Sequence, residues 1–444
     1  MRSTSLLTDH YELTMLQAAL RSGTADRRSA FELFGRRLNG GRRYGVVAGT
    51  GRALDALEAF RFDTEQLAYL RECGVVDEPT LEWLAGYRFT GDIWGYGEGD
   101  VFFPGSPLLV VESTFAEAVL LETMLLSILN HDTAVASAAA RMIGAAGERP
   151  CIEMGSRRTH EWSGVAAARA AYIAGFQATA NLQAGIEYGI PTSGTSAHAF
   201  TLLHDTERDA FQAQVTSLGA GTTLLVDTYD IADAVRTAVD VAGPELGAVR
   251  IDSGDLAVLA RRVRSQLDEL GATKTRIVVT SDLDEFAIAG LAAAPVDGYG
   301  VGTSLVTGSG QPTSGFVYKL VARAISTDPD APLVAVAKKS KDKLSIGGRK
   351  WALRRRNAEG IAELEVIGIG EQPVDDGDDR ELLQPLVRGG EVIGRESLEV
   401  ARERHRAAMS ELPDEALKLS GGAPVIRTVY IGDGRGASTD PFAS

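Results

Sequence analysis

The rhythm of apolar and polar positions changes twice along this 444-residue chain. Up to about residue 115 the pattern is mixed. Residues 12–20 read as a short helix, FELFGRRL (31–38) as a strand, and 45–60 as a loop feeding a helix. GDIWGYGEGDVFFPGSPLLVVESTF (91–115) alternates apolar and polar residues between Gly and Pro, which predicts short strands joined by tight turns. Residues 115–130 form a strongly apolar helix with acids near its start, where the helix dipole favours them, and Ala-rich helical sequence continues to about 147.

From about 150, short apolar runs alternate with helical stretches. The segments 151–155, 178–182, 190–194, 222–230, 247–255, 276–284 and 297–305 are predicted strands, and helices such as 257–270 and 285–294 follow most of them. Repeated strand–helix alternation predicts parallel β/α units. Consecutive apolar residues within each run fit strands covered on both faces. Each run closes on glycine or polar residues: GSRR, GTSAH, DTYD, DSGD, SDLD and GVGTS. Parallel β/α folds bind ligands at the carboxyl ends of their strands, so the chemistry is expected there. Beyond about 316 come two further strands, a basic Gly-containing stretch (337–356), strand-like sequence to about 367, an acidic loop, an amphipathic helix (395–412) and a frayed tail.

Charge and composition remove several classes of function. The 45 Lys+Arg against 60 Asp+Glu give a net charge of −15, which argues against a nucleic-acid partner. No apolar stretch approaches the roughly 18 residues of a membrane span. The N-terminus carries Asp9 and Glu12 and lacks the apolar core of a secretory signal, so a cytoplasmic protein is expected. Cys73 and Cys151 alone cannot build a disulfide scaffold or a Cys-based zinc framework. The first lysine is Lys274, which excludes a GxxxxGK[ST] phosphate loop before it, and none follows.

Within the strand ends, VRIDSGD (249–255) sets Arg250, Asp252, Ser253 and Asp255 where a strand meets a loop. Arg250 suits a two-pronged hold on phosphate or carboxylate, and Asp252 suits sugar hydroxyls or Mg²⁺. The plain alternative is a helix cap by Ser253 or Asp255, which leaves Arg250 and Asp252 free for a ligand. VGTSL (301–305), after Gly298 and Gly300, fits a phosphate cradle, with an ordinary turn as the alternative. His198 follows a strand end in the first helical turn, where a neutral, nucleophilic imidazole is favoured; a surface or core histidine is weighed equally. Arg157 and Arg158 suit an anion, or a solvated helix start. Tyr11 reads, on its own, as a core aromatic, and the 338–356 basic run as a solvated face. Asp227, Asp252 and Asp282 at three strand ends also permit a metal-dependent lyase, for which only His198 would serve as base. A ligand-sensing barrel without chemistry is the third reading.

TDHYELTM, FELFGRRL, LLETMLLSILN, IEMGSRRTHEW, GIPTSGTSAHAF, LLVDTYD, VRIDSGD, VTSDLDE and GYGVGTSLVT, in this order and spacing, resemble the nicotinate phosphoribosyltransferase family. The resemblance implies the type II phosphoribosyltransferase fold in the α/β class: an irregular β/α barrel beside a mixed α+β domain built from N-terminal and later segments. It implies a mixed domain over 1–115 with segments of about 316–370, a catalytic barrel over 116–315, and a helical or irregular extension over 371–444. The family joins nicotinate to 5-phosphoribosyl 1-diphosphate with Mg²⁺, in NAD salvage, and couples ATP hydrolysis through a phosphohistidine. That histidine matches His198. Arg250 and Asp252 match donor-holding residues, Gly302 and Thr303 the 5′-phosphate cradle, and Arg157 a position near pyridine and phosphates. Asp282 matches a further acid. Tyr11 matches an aromatic that stacks on the pyridine from the partner subunit of a homodimer with shared active sites, which replaces its core reading. Arg and Ser/Thr content in 155–158 and 193–196, Thr195 included, favours nicotinate over the amide. Nicotinamide phosphoribosyltransferase remains the alternative, and Ser156 stands where amide enzymes carry an aromatic.

Overall fold

Six short runs form one wholly parallel sheet in the computed structural model, which describes residues 3–338 and 345–432, and the backbone of 435–438. The runs are β1 (Cys151–Glu153), β2 (Ala178–Thr179), β3 (Thr223–Leu225), β4 (Ala248–Ile251), β5 (Arg276–Ser281) and β6 (Gly298–Val301), in the order β2-β1-β6-β5-β4-β3. Pairing register is continuous: Val279 lies opposite Ile251 on one side and Tyr299 on the other. All six strands therefore present their carboxyl ends on one side. The sheet is open, with β2 and β3 as its edges. The expected strand 190–194 adds only a bridge between Thr192 and Thr179, since Pro191 has no N–H for a ladder.

Helices connect the strands, and side-chain caps start most of them. Asp230 accepts from Asp233 N–H, Asp255 from Val258 N–H, and Asp284 from Phe286 and Ala287 N–H. Each such cap contributes about 0.5–2 kcal/mol. The amphipathic helices Ile231–Ala242 and Leu256–Glu269 bury Ala234, Val235, Ala238, Ala260, Val263 and Leu267, all nearly inaccessible.

The chain divides into two compact units, 138–310 and a discontinuous one of 1–137 with 311–444. The sequence placed the first boundary at 115/116. The structure moves it into helix Glu122–Ala146, because Met124, Leu125 and Leu129 belong to the apolar core of the discontinuous unit. That core lies on a seven-stranded antiparallel sheet in which Arg28–Gly35 pairs with both Leu109–Thr114 and Phe316–Ala324. The segment 371–444 is not a separate extension. Gln384–Arg388 pairs with Asp92–Gly95, and Arg427–Gly432 runs parallel to Ala362–Ile369 in a five-stranded sheet, each strand satisfying backbone groups that its neighbour would otherwise leave open. The tail, expected to fray, contributes a strand at Arg435–Ser438. Residues 339–344 of the basic stretch lie outside the described residues.

Candidate active site

Three of the parallel strands end in an acidic pair with a division of labour. After β3, Asp227 turns inward and Asp230 caps the next helix. After β4, Asp252 turns inward and Asp255 caps. After β5, Asp282 stays at the strand end and Asp284 caps. The inward members organise one another. Asp227 Oδ2 accepts from the backbone N–H of Asp252 at 2.9 Å and from Ser253 Oγ at 2.8 Å, while Asp252 Oδ1 accepts from Thr280 Oγ1.

At this end of the sheet is a cavity of about 210 Å³ lined by Met154, Arg157, Arg158, Arg250, Asp252, Thr280, Ser281, Asp282, Gly300, Gly302 and Thr303. Its backbone must come close. A Cβ at Gly300 would lie 2.4 Å from Thr280 Cγ2 and 2.7 Å from Met154 Sδ, so glycine lets β6 pack closely against Thr280 of β5 and Met154 beside the cavity. Arg250 is fixed by Thr195 Oγ1 at 2.8 Å and the Ser196 carbonyl at 3.1 Å, and its Nε is buried without a partner. Burial pushes the Arg250 guanidinium below its ordinary value, Asp252 and Asp227 draw it back up, and Arg157 opposes them. Arginine still remains charged across the physiological range. Arg157 and Arg158 are exposed and make no ion pair among the described residues. Three guanidiniums with Asp252 and Asp282 form a site for a polyanion that also carries hydroxyl donors.

His198 opens the helix His198–Leu202. Its Nδ1 lies 3.0 Å from Thr228 Oγ1, and its Nε2 faces Asp227 Oδ1 at 3.8 Å and Asp252 Oδ2 at 3.9 Å. Asp227 Oδ1 is buried with no hydrogen-bond partner, an acceptor aimed at the imidazole. The ring is thus held at one nitrogen, and its other nitrogen lies against two carboxylates beside the cavity.

Of the residues singled out from sequence, Arg157, Arg250, Asp252, Asp282, Gly302 and Thr303 share this cavity; Thr195 touches Arg250, and His198 faces Asp252. Tyr11 belongs to the discontinuous unit, on helix His10–Arg21, with 43% of its surface exposed. Burial, then Glu122, raises its phenol to about 12. Thr228 and Thr280 went unrecognised. The signal for Thr228 lay in DTYD, where the hydroxyl beside a strand-end acid is as well placed as the acid. The discontinuous unit holds a larger cleft, about 550 Å³, lined by Trp94, Trp351, Arg349 and Arg388 among others. There Arg349 is bound to Glu112 at 2.8 Å and stacks on Trp351, and Arg388 stacks on Trp94, so its cations are already engaged. The chemistry points to the smaller cavity.

The family profile described as the nicotinate phosphoribosyltransferase N-terminal domain matches residues 6–130. Over 435 residues the chain is 58% identical to nicotinate phosphoribosyltransferase pncB1 of Mycobacterium tuberculosis, covering 96% of this chain and 95% of the relative. The chain belongs to the nicotinate phosphoribosyltransferase family. A Bacillus subtilis nicotinate phosphoribosyltransferase is 38% identical over 387 residues, 84% of this chain and 78% of that one. Crystalline human nicotinic acid phosphoribosyltransferase superposes with a TM-score of 0.80 at 26% identity, covering 96% of this chain and 97% of the human one. Family membership removes the metal-lyase and non-catalytic readings. No helix among the described residues is long and apolar enough to cross a membrane.

Proposed function

We propose that this protein joins nicotinate to 5-phosphoribosyl 1-diphosphate, forming nicotinate mononucleotide and diphosphate in NAD salvage, on a type II phosphoribosyltransferase fold. ATP hydrolysis is coupled to the reaction through phosphorylation of His198. The observation that carries the reading is the convergence of Arg157, Arg158, Arg250, Asp252, Asp282 and the Gly302–Thr303 turn on one cavity.

In this reading the Gly302–Thr303 turn cradles the 5′-phosphate, Arg250 and Arg157 hold the diphosphate, and Asp252 accepts from the ribose hydroxyls. The pyridine nitrogen attacks C1 as the C1–O bond to diphosphate breaks. Positive charge builds on the ribosyl ring and negative charge on the leaving group. Preorganised guanidiniums stabilise the latter, and carboxylates near the ring favour the former. A phosphoryl group on His198, next to Asp252 and the cavity, would bias donor binding and product release. Mg²⁺ suits this donor set: Asp252 and Asp282, both lining the cavity, would supply the hard oxygen ligands it prefers. When bound, it neutralises charge on the leaving diphosphate. The described acids of this unit form no cage of their own; the one group of three lies at Asp375, Asp376 and Asp379 in the other unit. A cytoplasmic homodimer completes the reading, with Tyr11 serving the cavity of the other subunit. The exposure of Tyr11, and of Leu182 and Ile186, supports such association.

The test is product detection by mass spectrometry after mixing the protein with Mg²⁺, 5-phosphoribosyl 1-diphosphate and equal nicotinate and nicotinamide, with and without ATP. Nicotinate mononucleotide that rises with ATP is expected. Amide product alone would move the specificity to nicotinamide, and no product from either would overturn the activity.

A further inference from the structure

Glu153, the last residue of β1, is fully buried, and no cation pairs with it among the described residues. Burying a carboxylate this way costs stability, which an apolar side chain at the same place would avoid. Its two oxygens are both engaged. One accepts from the backbone N–H of Gly155, the other from Thr179 Oγ1 at 2.5 Å. Thr179 Oγ1 in turn accepts from Asn181 N–H at 2.9 Å, and Asn181 Nδ2 donates to Ser156 Oγ at 2.9 Å. The contacts close a ring through Glu153, Gly155, Ser156, Asn181 and Thr179. Arg157 and Arg158 follow directly, in the short 3₁₀ turn Ser156–Arg158. The turn also has no room to shift: a Cβ at Gly155 would lie 2.3 Å from Val306 Cγ1 and 2.9 Å from the Gly302 carbonyl. Burial raises the Glu153 carboxyl, and the bonds from Thr179 and Gly155 oppose that rise. A backbone N–H can only donate, so the oxygen facing Gly155 must be an acceptor.

We infer that Glu153 is a positioning residue for the phosphoribosyl donor: through the Gly155 N–H and the Thr179–Asn181–Ser156 contacts it fixes the turn that aims Arg157 and Arg158 into the anion cavity. This rests on the reading of that cavity as the donor site. Glutamate suits this position because its two acceptor oxygens reach the Gly155 N–H just past its own strand and the Thr179 hydroxyl on β2. Glutamine would still accept from the Gly155 N–H and could meet Thr179 Oγ1 by donating its NH₂, which only reverses that bond, whereas leucine removes both acceptors. Aspartate is one methylene too short to span both.

The test uses the full chain with Glu153→Leu, which removes both acceptors, and Thr179→Val, which removes the Thr179 contacts while leaving the carboxylate in place, with Thr179→Ser as the conservative control. Inorganic diphosphate is titrated calorimetrically, and KM for 5-phosphoribosyl 1-diphosphate, kcat and the thermal midpoint are measured. Glu153→Leu and Thr179→Val are expected to weaken diphosphate binding and raise KM by about tenfold, with kcat unchanged or lowered, since the same guanidiniums meet the charge that builds on the leaving diphosphate. Thr179→Ser is expected to match the parent. A lowered midpoint and kcat with unchanged KM and unchanged diphosphate affinity would mean a merely structural acid and would overturn the inference. Arg250→Ala separates the two levels. If the parent binds no diphosphate, or binds it as well after Arg250→Ala, the donor-site reading itself falls. If Arg250→Ala weakens binding and neither Glu153→Leu nor Thr179→Val does, only the positioning role falls.

Discussion

Nδ1 of His198 lies 3.0 Å from the hydroxyl of Thr228, and this single contact decides which imidazole nitrogen is turned toward the carboxylates. With Nδ1 engaged by Thr228, Nε2 is the nitrogen left beside Asp227 and Asp252. A histidine that must accept and release a phosphoryl group needs its ring fixed in one orientation and one tautomer.

Thr228→Val keeps the side-chain shape and removes the hydroxyl. It is expected to lower the ATP-dependent part of product formation by about tenfold, the rate equivalent of about 1.4 kcal/mol. His198→Ala is expected to bring the ratio of product formed with and without ATP to one. Product assays run with and without ATP check both, and full stimulation in either variant would remove the assigned role.

The paired acids at the strand ends predict opposite phenotypes three residues apart. Asp255→Ala removes a helix cap and is expected to cost about 1 kcal/mol of stability, seen as a lower urea midpoint, with KM for the donor within about twofold. Asp252→Asn is expected to raise that KM at least tenfold with a smaller shift in midpoint. Matching behaviour of the two variants would contradict the division of labour.

His405 supplies a pH dependence of stability. It is buried, with Nδ1 3.1 Å from the Gly99 carbonyl, and burial lowers its imidazole from 6.5 to about 4. The unfolded chain takes up this proton near pH 6.5 and the folded one only near pH 4. Its contribution is therefore complete above pH 6.5 and is lost as pH falls to about 4, on the order of 3 kcal/mol in all. Denaturation curves between pH 7 and 4 are expected to show a shallower acid loss for His405→Gln than for the parent.

The two cysteines should differ in reactivity. Cys73 is exposed, whereas burial raises the Cys151 thiol to about 12 and removes it from solvent. Iodoacetamide at pH 8 is expected to modify Cys73 and leave Cys151 intact, as read by peptide mass spectrometry.

Much of the parallel sheet was legible because its strands carry unbroken apolar runs that end in polar residues. VRIDSGD shows this well: strand, inward Arg250 and Asp252, and capping Asp255 can all be read from seven letters. The segment 190–194 misled because apolar content alone does not reveal that Pro191 lacks a ladder donor. The role of 371–444 was hidden for a different reason. QPLVR at 384–388 is an ordinary edge strand, and nothing local says that its partner is Asp92–Gly95, almost three hundred residues earlier. Glu153 was invisible for the same reason, since its importance comes from Thr179 and Asn181 on the next β/α unit.

The pairing of Arg28–Gly35 with Phe316–Ala324 has a consequence for how the protein is made. While the chain emerges from the ribosome, the strand at 28–35 can join Leu109–Thr114 early, but its other edge has no partner until the segment after 315 is synthesised. At about 5–20 residues per second, that interval lasts on the order of 15–60 s. The parallel β/α unit at 138–310 is completed within it, so it can fold while the flanking unit still carries an open sheet edge. Slow decoding across 138–310 would lengthen the exposure of that edge to strand-adding partners, and fast decoding would shorten it.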